Sequence, residues 1–319
     1  MVEVSIVIVS YNVRDLLETC LRSIEMAQIS LTPRKESLAD EIRAEVVVVD
    51  SASSDHTADM VRQIYPWVRL LEPRINVGFS RGTNLGINAA LGQFIFLLNP
   101  DTLVEKQAVV ELVDFLKRHP AVGVVGPQLL NGDGSIQSSR RRFPSMATAF
   151  FESTWLQRFA PSSLLARYFV DDQESTVTQN IDWITGAAMM VRREVIDQIG
   201  LLDEGFYMYS EELDWQRRIK NEGWEIVFYP NAKIVHLGGK SSDLVPEQTH
   251  IAFQTSKVRY FQKYHGAVAG STLRIFLLVS YASQLAMELA KAAIGNQRGL
   301  RLRRVKVFWR ALRSGFVSS

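Results

Sequence analysis

Acids stand where apolar runs stop. Phe94–Leu98 reads FIFLL, and Asn99, Pro100 and Asp101 follow it. A carboxylate there, with Asn99 beside it and Pro100 stiffening the turn, could hold a hard divalent cation such as Mg2+ or Mn2+. Such cations take oxygen ligands and bridge to phosphates. The plainer reading makes Asp101 the N-cap of a helix beginning in TLVEKQAVVELV. Asp50 closes the run EVVVVD, and Asp55 comes five residues later. Both could cap the next helix, or Asp50 could accept hydrogen bonds from a nucleobase. Glu211, Glu212 and Asp214 lie between FYMY and WQRRI. On a solvated helix face such acids only repel one another, but apolar surroundings raise carboxyl pKa values and suit them to general-base work. His236 precedes two glycines, Lys240 and two serines. A histidine at a strand end is more often structural than a ligand, yet glycines let backbone approach a phosphate and Lys240 supplies charge.

The elements that must position these residues alternate. Residues 4–12 form a continuous Val/Ile-rich run, the pattern of a strand buried on both faces. A helix-spaced segment follows from Val13 to Ile24, then a polar stretch over 30–44 and a second strand at 45–50. A helix over SSDHTADMVRQIY, a strand at 68–73, a helix closed by Gly92, a strand ending at Asp101 and a helix stopped before Pro120 complete the first half. Strand–helix alternation with short connections predicts an α/β domain with a mostly parallel sheet, in which ligands bind outside the carboxyl ends of the strands. Ser10, Asp50 and Asp101 are all expected at such ends. Beyond residue 123 the pattern loosens: strands around an NGDG turn, a strand running into a helix over TGAAMMVRREVIDQIG, and two short strands ending at His236. The polar, Pro-containing SSDLVPEQ places a boundary near 245.

The 319 residues are 47% apolar and 22% charged, an ordinary balance for a protein with a core. The net charge of +2 is unevenly spread: from residue 289 onward there are eight Lys/Arg and no Asp/Glu. Cys20 is the sole cysteine, which excludes an internal disulfide and a thiolate metal cage. No G-x-G-x-x-G follows a strand and no P-loop is present, so a dinucleotide site and that type of NTP hydrolysis are disfavoured. Positive charge confined to one short segment, without interleaved stacking residues, argues against nucleic acid as a partner.

Seven segments in order, VSYN, VVDSASSD, NVGFSRGTNLGI, LLNPDT, ITGAAMMVRRE, GFYMYSEELDW and HLGGKS, resemble the inverting family 2 glycosyltransferases of GT-A fold over about residues 3 to 265. Within them the chain is similar to the bacterial rhamnosyltransferase-like branch. The resemblance implies a catalytic domain over 1–245 and a helical C-terminal region over 246–319. It implies that Ser10, Tyr11 and Asn12 with Asp50 hold the base and ribose of a nucleotide-sugar, and that Asp55 supports that loop. Gly78, Phe79 and Asn84 would line the donor pocket. Gly186 and Ala187 would approach the sugar, with Asp182 and Trp183 beside it. Asp101 would bind Mg2+ or Mn2+ as the last acid of a D-x-D element, written here with Asn99 first, and His236 would complete the metal or diphosphate site. Glu212 would be the catalytic base, with Asp214 in reserve. The implied reaction moves a sugar, best guessed as rhamnose from dTDP-rhamnose, to a hydroxyl of a lipid-linked or polysaccharide acceptor in cell-envelope glycan synthesis. A UDP-sugar donor and a catalytically degenerate nucleotide-sugar-binding protein are the alternatives. Arg140–Arg142 read equally as a basic surface strand or a diphosphate contact.

The N-terminus lacks the basic and small-residue features of a signal peptide. The apolar run Ile275–Met287 has 13 residues, short of the about 20 a spanning helix needs, so no transmembrane helix is expected. In LRLRRVKVFWRALR, Leu302, Val305, Phe308, Trp309 and Leu312 recur at helical spacing among arginines and lysines. The pattern fits either a helix packed on protein or a basic amphipathic helix on an anionic membrane surface. The second is favoured here, with a cytoplasmic location peripheral to the inner face of the cell membrane.

Overall fold

The computed structural model describes residues 1–27, 29–31, 42–152, 154–238, 246–295 and 297–317. Contacts divide the chain into two units. The first takes residues 1–143, 166–204 and 211–244; the second takes 144–165, 205–210 and 245–319.

In the first unit, β1 (Val4–Ser10) runs into α1 (Arg14–Glu25), and a short β2 (Ser30–Leu31) precedes β3 (Arg43–Asp50). Then come α2 (Thr57–Ile64), β4 (Val68–Leu71), α3 (Phe79–Ala89), β5 (Phe94–Leu98), β6 (Thr102–Val104), α4 (Ala108–Arg118) and β7 (Val122–Leu130). β1 pairs in parallel with both β3 and β5, in the register Ser10↔Asp50 and Val7↔Leu97. The carboxyl ends of these strands therefore share one sheet edge. The unbroken apolar runs are explained by the two cores they feed. Ile6, Ile8, Val46, Val48 and Phe96 join a cluster with Leu17, Leu21, Leu112 and Leu116. The alternate residues Val7, Val47, Ile95 and Leu97 face the other way, against Ile87, Trp215 and Ile219. With both faces covered, the middle of each strand is apolar; Ser5 and Glu45, near the opposite end of β1 and β3, are buried only as a hydrogen-bonded pair.

The chain continues through β8 (Ile136–Gln137), β9 (Arg140–Arg141), α5 (Met146–Phe151), α6 (Ser162–Phe169), β10 (Gln179–Asn180), β11 (Trp183–Ile184), β12 (Ala188–Arg192), α7 (Arg193–Ile199), α8 (Glu211–Asn221) and β13 (Glu225–His236). The principal sheet runs β10-β13-β7-β12-β5-β1-β3-β2, with β4, β6 and β8 attached beside this path; β9 and β11 form a separate pair. β12 enters antiparallel to β5, with Ala188 opposite Leu98, so Gly186 and Ala187 lie just before it at the carboxyl edge of β5. Three expectations are corrected. The two strands ending at His236 are one strand, whose register shifts between Tyr229 and Lys233. α3 stops at Ala89 rather than at Gly92; a Cβ on Gly92 would lie 2.6 Å from the Ser5 backbone nitrogen, so this glycine serves close approach instead. Asp101 caps no helix, because β6 follows it and α4 starts only at Ala108.

In the second unit, α9 (Pro246–Ala293) is broken at Gly266, whose φ of 87° and ψ of 164° are not helical, and α10 (Arg298–Ser314) follows. The 13-residue apolar run thus belongs to a much longer helix. Among the described residues, this one helix is long and apolar enough to cross a membrane by length and composition alone.

α3 packs tightly enough on β1 to give a test. A Cβ on Gly86 would stand 2.3 Å from Val7 Cγ1. Gly86→Ala is expected to cost about 1–3 kcal/mol through overpacking and to lower the melting temperature by several degrees. An unchanged thermal melt would show that α3 is free to ride up from the sheet.

Candidate active site

At the shared edge, the loops after β1 and β3 are stitched together. Asn12, at φ 53°, accepts from the Ser54 backbone N–H at 2.7 Å, and its own N–H donates to Ser53 Oγ at 2.9 Å. The Arg14 N–H donates to Asp55 Oδ2 at 2.9 Å. Burial would raise the Asp55 carboxyl, but hydrogen bonds from the Thr57 hydroxyl and from the Arg14 and Thr57 N–H groups outweigh it and hold the group below its ordinary range. Asp50 accepts from the Ser53 hydroxyl, yet burial dominates and pushes its carboxyl up. Ser51 Oγ donates to Asn76 Oδ1 and accepts from the Val77 N–H, which draws the turn at Gly78 (φ 79°) to this cluster. The buried Ser10 Oγ has no hydrogen-bond partner among the described residues. A pocket of about 340 Å³ opens beside Asp50, lined also by Ser53, Ser54, Arg62, Glu72 and Pro73. Tyr11 is exposed at its rim-forming loop and Phe79 is half-buried. Asn84 is placed differently from expectation. Its amide donates to Leu202 O and Glu204 Oε1, and its carbonyl accepts from the Leu202 N–H, all at 3.0 Å, so it staples α3 to the 202–204 loop.

Asp101 and His236 meet through strand pairing. β6 turns back antiparallel to the end of β13, with Thr102 opposite His236, and the Leu237 N–H donates to the Asp101 carbonyl at 2.9 Å. His236 Nε2 stands 3.4 Å from Asp101 Oδ1, while Nδ1 lies 2.7 Å from Gln137 Oε1. Gln137 Oε1 can only accept, so Nδ1 donates to it, and Nε2 is the nitrogen that faces the carboxylate. One carboxylate and one imidazole make a sparse donor set; among the described residues no three His, Cys, Asp or Glu side chains group around a metal position. The pair fits a divalent ion that takes its remaining oxygens from a bound phosphate and water, the usual habit of Mg2+.

The acids of α8 divide by surroundings. Asp214 is fully buried and pairs with Arg218 at 3.1 Å, and that guanidinium also donates to Ile199 O and Leu201 O. Glu211 and Glu212 each keep a buried Oε2 without a protein partner. Burial pushes Glu212 up, partly offset by the Gly186 N–H and the charge of Arg141. Burial and the neighbouring Glu212 push Glu211 well above the carboxylate range. Two adjacent buried carboxyls cannot both ionise cheaply, and the N–H groups and the Arg141 charge that favour ionisation act on Glu212. Gly186 lies directly over this pair: a Cβ there would be 3.5 Å from Glu212 Cβ. Gln216 fixes the arrangement by accepting from the Ile184 N–H at 2.8 Å and donating to the Ile184 carbonyl at 2.7 Å.

These clusters are joined. Asn99 N–H donates to Ala187 O at 2.9 Å, so Glu212, Gly186–Ala187, Asn99 and Asp101 with His236 form one continuous chain of contacts. Asp182 and Trp183 stand aside from it. Asp182 binds Lys220 at 2.6 Å and the Phe143 N–H at 3.0 Å, and the Trp183 indole donates to Arg142 O. Arg140 is spent on Gln173 O, Glu174 O and Gln179 Oε1. Lys240 lies outside the described residues. Sequence reasoning missed Gln137, Gln216 and the division of labour within the acidic run. A buried glutamine one helical turn after Glu212 was the available signal for the second.

Comparison with known proteins follows this geometry. The profile named Glycosyl transferase family 2 matches residues 5–200. The chain is 28% identical over 258 residues to an N-acetylglucosaminyl-diphospho-decaprenol L-rhamnosyltransferase of Mycobacterium tuberculosis, covering 77% of this chain and 83% of that one. It is 27% identical over 187 residues to a low-salt glycan biosynthesis hexosyltransferase of Haloferax volcanii, 57% of this chain and 55% of the other. Among solved structures, a mannosyltransferase from Pyrobaculum calidifontis in complex with GDP-Man and Mn2+ superposes with a TM-score of 0.56 at 17% identity, over 98% of this chain and 86% of that one. GalNAc-T7 with UDP, GalNAc and Mn2+ gives 0.57 at 19%, over 82% and 48%. The fold is GT-A.

The two kinds of acid in α8 respond oppositely to removal. Asp214→Ala leaves Arg218 without its buried partner and is expected to cost about 3 kcal/mol, read as a melting temperature lower by several degrees. Glu212→Gln removes a buried charge that no protein partner fully compensates and is expected to melt no lower than the parent. Equal losses in both variants would contradict the assignment of Asp214 as the brace.

Proposed function

We propose, from the premise that this chain belongs to glycosyl transferase family 2, that it is an inverting, metal-dependent transferase. It moves a deoxyhexose from a nucleoside-diphosphate donor to a hydroxyl of a lipid-linked glycan. The observation that carries this reading is the continuous chain of contacts from Asp101 and His236 to Glu212 at the carboxyl edge of the sheet. The mycobacterial relative, whose name states a decaprenol-linked acceptor and rhamnosyl transfer, supports dTDP-rhamnose as donor and a polyprenyl diphosphate glycan as acceptor. A lipid-linked acceptor supports a location at the inner face of the cell membrane, and the basic α10 suits an anionic surface.

The residues have separate tasks. Asp50, with the Ser10–Asn12 loop that Asp55 supports, holds base and ribose in the pocket beside it, and the turn at Gly78 and Phe79 closes the donor side. Asp101 and His236 would hold Mg2+ or Mn2+ beside the donor diphosphate. The ion supplies Lewis-acid neutralisation of the charge that grows on the leaving group. Glu212, ionised beneath Gly186, accepts the acceptor's hydroxyl proton. As that oxygen bonds to the sugar C1, the opposite C1–O bond breaks and its electron pair leaves with the nucleoside diphosphate, which inverts the anomeric centre. Asp214 braces α8 through Arg218, and Asp182 and Trp183 hold the 142–143 segment behind the sugar site.

Three outcomes test this. Glu212→Gln is expected to lower transfer by at least about a thousandfold, with donor-induced thermal stabilisation intact. Glu211→Gln exchanges a neutral acid for a neutral amide and is expected to keep most turnover. Wild-type rates in Glu212→Gln, or equal loss in both, would remove Glu212 as the sole base. Because burial raises Glu212, and only its ionised form accepts a proton, kcat is expected to fall with decreasing pH at values above the ordinary carboxylate pKa of about 4.3. That acid limb should stay in place in Glu211→Gln. Asp101→Ala is expected to abolish turnover and to remove the metal-dependent part of donor stabilisation. Stabilisation by donor that is indifferent to added metal in the parent would contradict the metal assignment.

A further inference from the structure

The tail does not use its apolar residues as its sequence alone suggests. α10 packs antiparallel on the second half of α9, along a seam that repeats every seven residues. Arg274 Nε donates to Gly315 O at 2.6 Å, the rings of Tyr281 and Phe308 are 5.9 Å apart, and Glu288 binds Arg301 through both carboxylate oxygens at 3.0 Å. Phe308 and Ala311 are thereby turned inward, and Glu288 absorbs Arg301 with Arg304 at its edge.

At 100° per residue, the face of α9 lying about 80–160° past the seam carries Val268, Ser271, Ile275, Val279, Ala282, Ala286, Leu289 and Ala293, apolar but for the one serine. None of these is charged, and all are exposed: Ile275 by 61%, Val279 by 64% and Leu289 by 47%. In an antiparallel pair of right-handed helices the corresponding flanks lie on the same side. The matching flank of α10 presents Leu302 and Trp309, the latter 60% exposed, with Arg298, Lys306 and Arg313 exposed around them. The result is an apolar strip about 37 Å long with a basic border along α10 and no acid from residue 289 onward.

We infer that this two-helix face, rather than α10 alone, is the surface on which the chain lies in the interfacial layer of an anionic bilayer. The inference rests on the lipid-linked acceptor reading and specifies how the enzyme reaches it. Apolar side chains enter the acyl boundary while Arg298, Lys306 and Arg313 meet anionic headgroups. α9 does not cross the membrane, although its length and apolarity would allow it. α10 lies along it, and crossing would carry Arg303, Lys306 and Arg310 into the hydrocarbon.

Flotation of the purified full chain with vesicles of phosphatidylglycerol and phosphatidylcholine, against phosphatidylcholine alone, tests the surface. The parent is expected to bind the anionic vesicles at least tenfold better and to be released by alkaline carbonate. Val279→Glu and Leu289→Glu are expected to lower binding at least tenfold, with donor-induced thermal stabilisation unchanged; Lys306→Glu with Arg313→Glu should abolish the anionic preference. Stripe variants that float like the parent would overturn the inference. So would resistance to carbonate, which indicates spanning, or a dimer in solution that Val279→Glu dissociates while vesicle binding is unchanged. If the parent ignores vesicles but still glycosylates a detergent-solubilised lipid-linked acceptor, this surface assignment fails while the transferase reading stands.

Discussion

The site depends on one pairing of backbone. β6, three residues long, turns back against the end of β13 so that Thr102 opposes His236, and the Asp101 carbonyl takes the Leu237 N–H at 2.9 Å. A register slip of one residue in either strand would turn Asp101 or His236 to the other face of the sheet. β5 and β13 are both interior strands, and apolar residues on two faces hold β5 throughout and β13 at Ile226–Phe228, Ala232 and Ile234. The precision of a polar site 135 positions apart in the chain is thus paid for by hydrophobic packing that never touches the ligand.

Electrostatics then sorts residues that look alike. Glu211, Glu212 and Asp214 occupy one helical turn, yet burial and a like-charged neighbour push Glu211 well up, hydrogen bonds and Arg141 partly offset the rise at Glu212, and Asp214 is locked in an ion pair. Gly186 and Gln216 make the difference. The glycine allows backbone N–H to reach Glu212, and the glutamine serves Ile184 as a substitute strand partner, pinning the Gly186 segment over α8. The same logic acts at the other end of the site, where Asp50 and Asp55 diverge in opposite directions because hydrogen bonds outweigh burial at one and not at the other.

Much of this was legible in the chain. Continuous Val/Ile runs ending on Ser10, Asp50 and Asn99–Asp101 gave the parallel strands and their ligand edge, because a strand buried on both faces has nowhere else to put an unpaired polar residue. The proposal of Glu212 as base could be made from motif order, whereas the burial that pushes its neighbour Glu211 up could not, since it is a three-dimensional property. Asn84 and Asp182 carry the right residue types for a donor pocket but are consumed by the Leu202–Glu204 loop and by Lys220 with Phe143. Spacing cannot show which way an amide or carboxylate turns. The tail shows the same limit. Helical spacing identified its apolar residues, but the seam with α9 decides which of them remain outside.

The central claim is that the β6–β13 register builds a divalent-ion site from Asp101 and His236 that is completed by the donor diphosphate. Pulsed electron spin-echo spectroscopy of Mn2+ with the protein and dTDP-rhamnose reads it directly. The account predicts a histidine 14N coupling and a 31P coupling on the same ion, with the nitrogen signal lost in His236→Ala. A 31P coupling without 14N in the parent would mean that the ion sits on the nucleotide away from this pair, and the account would fail.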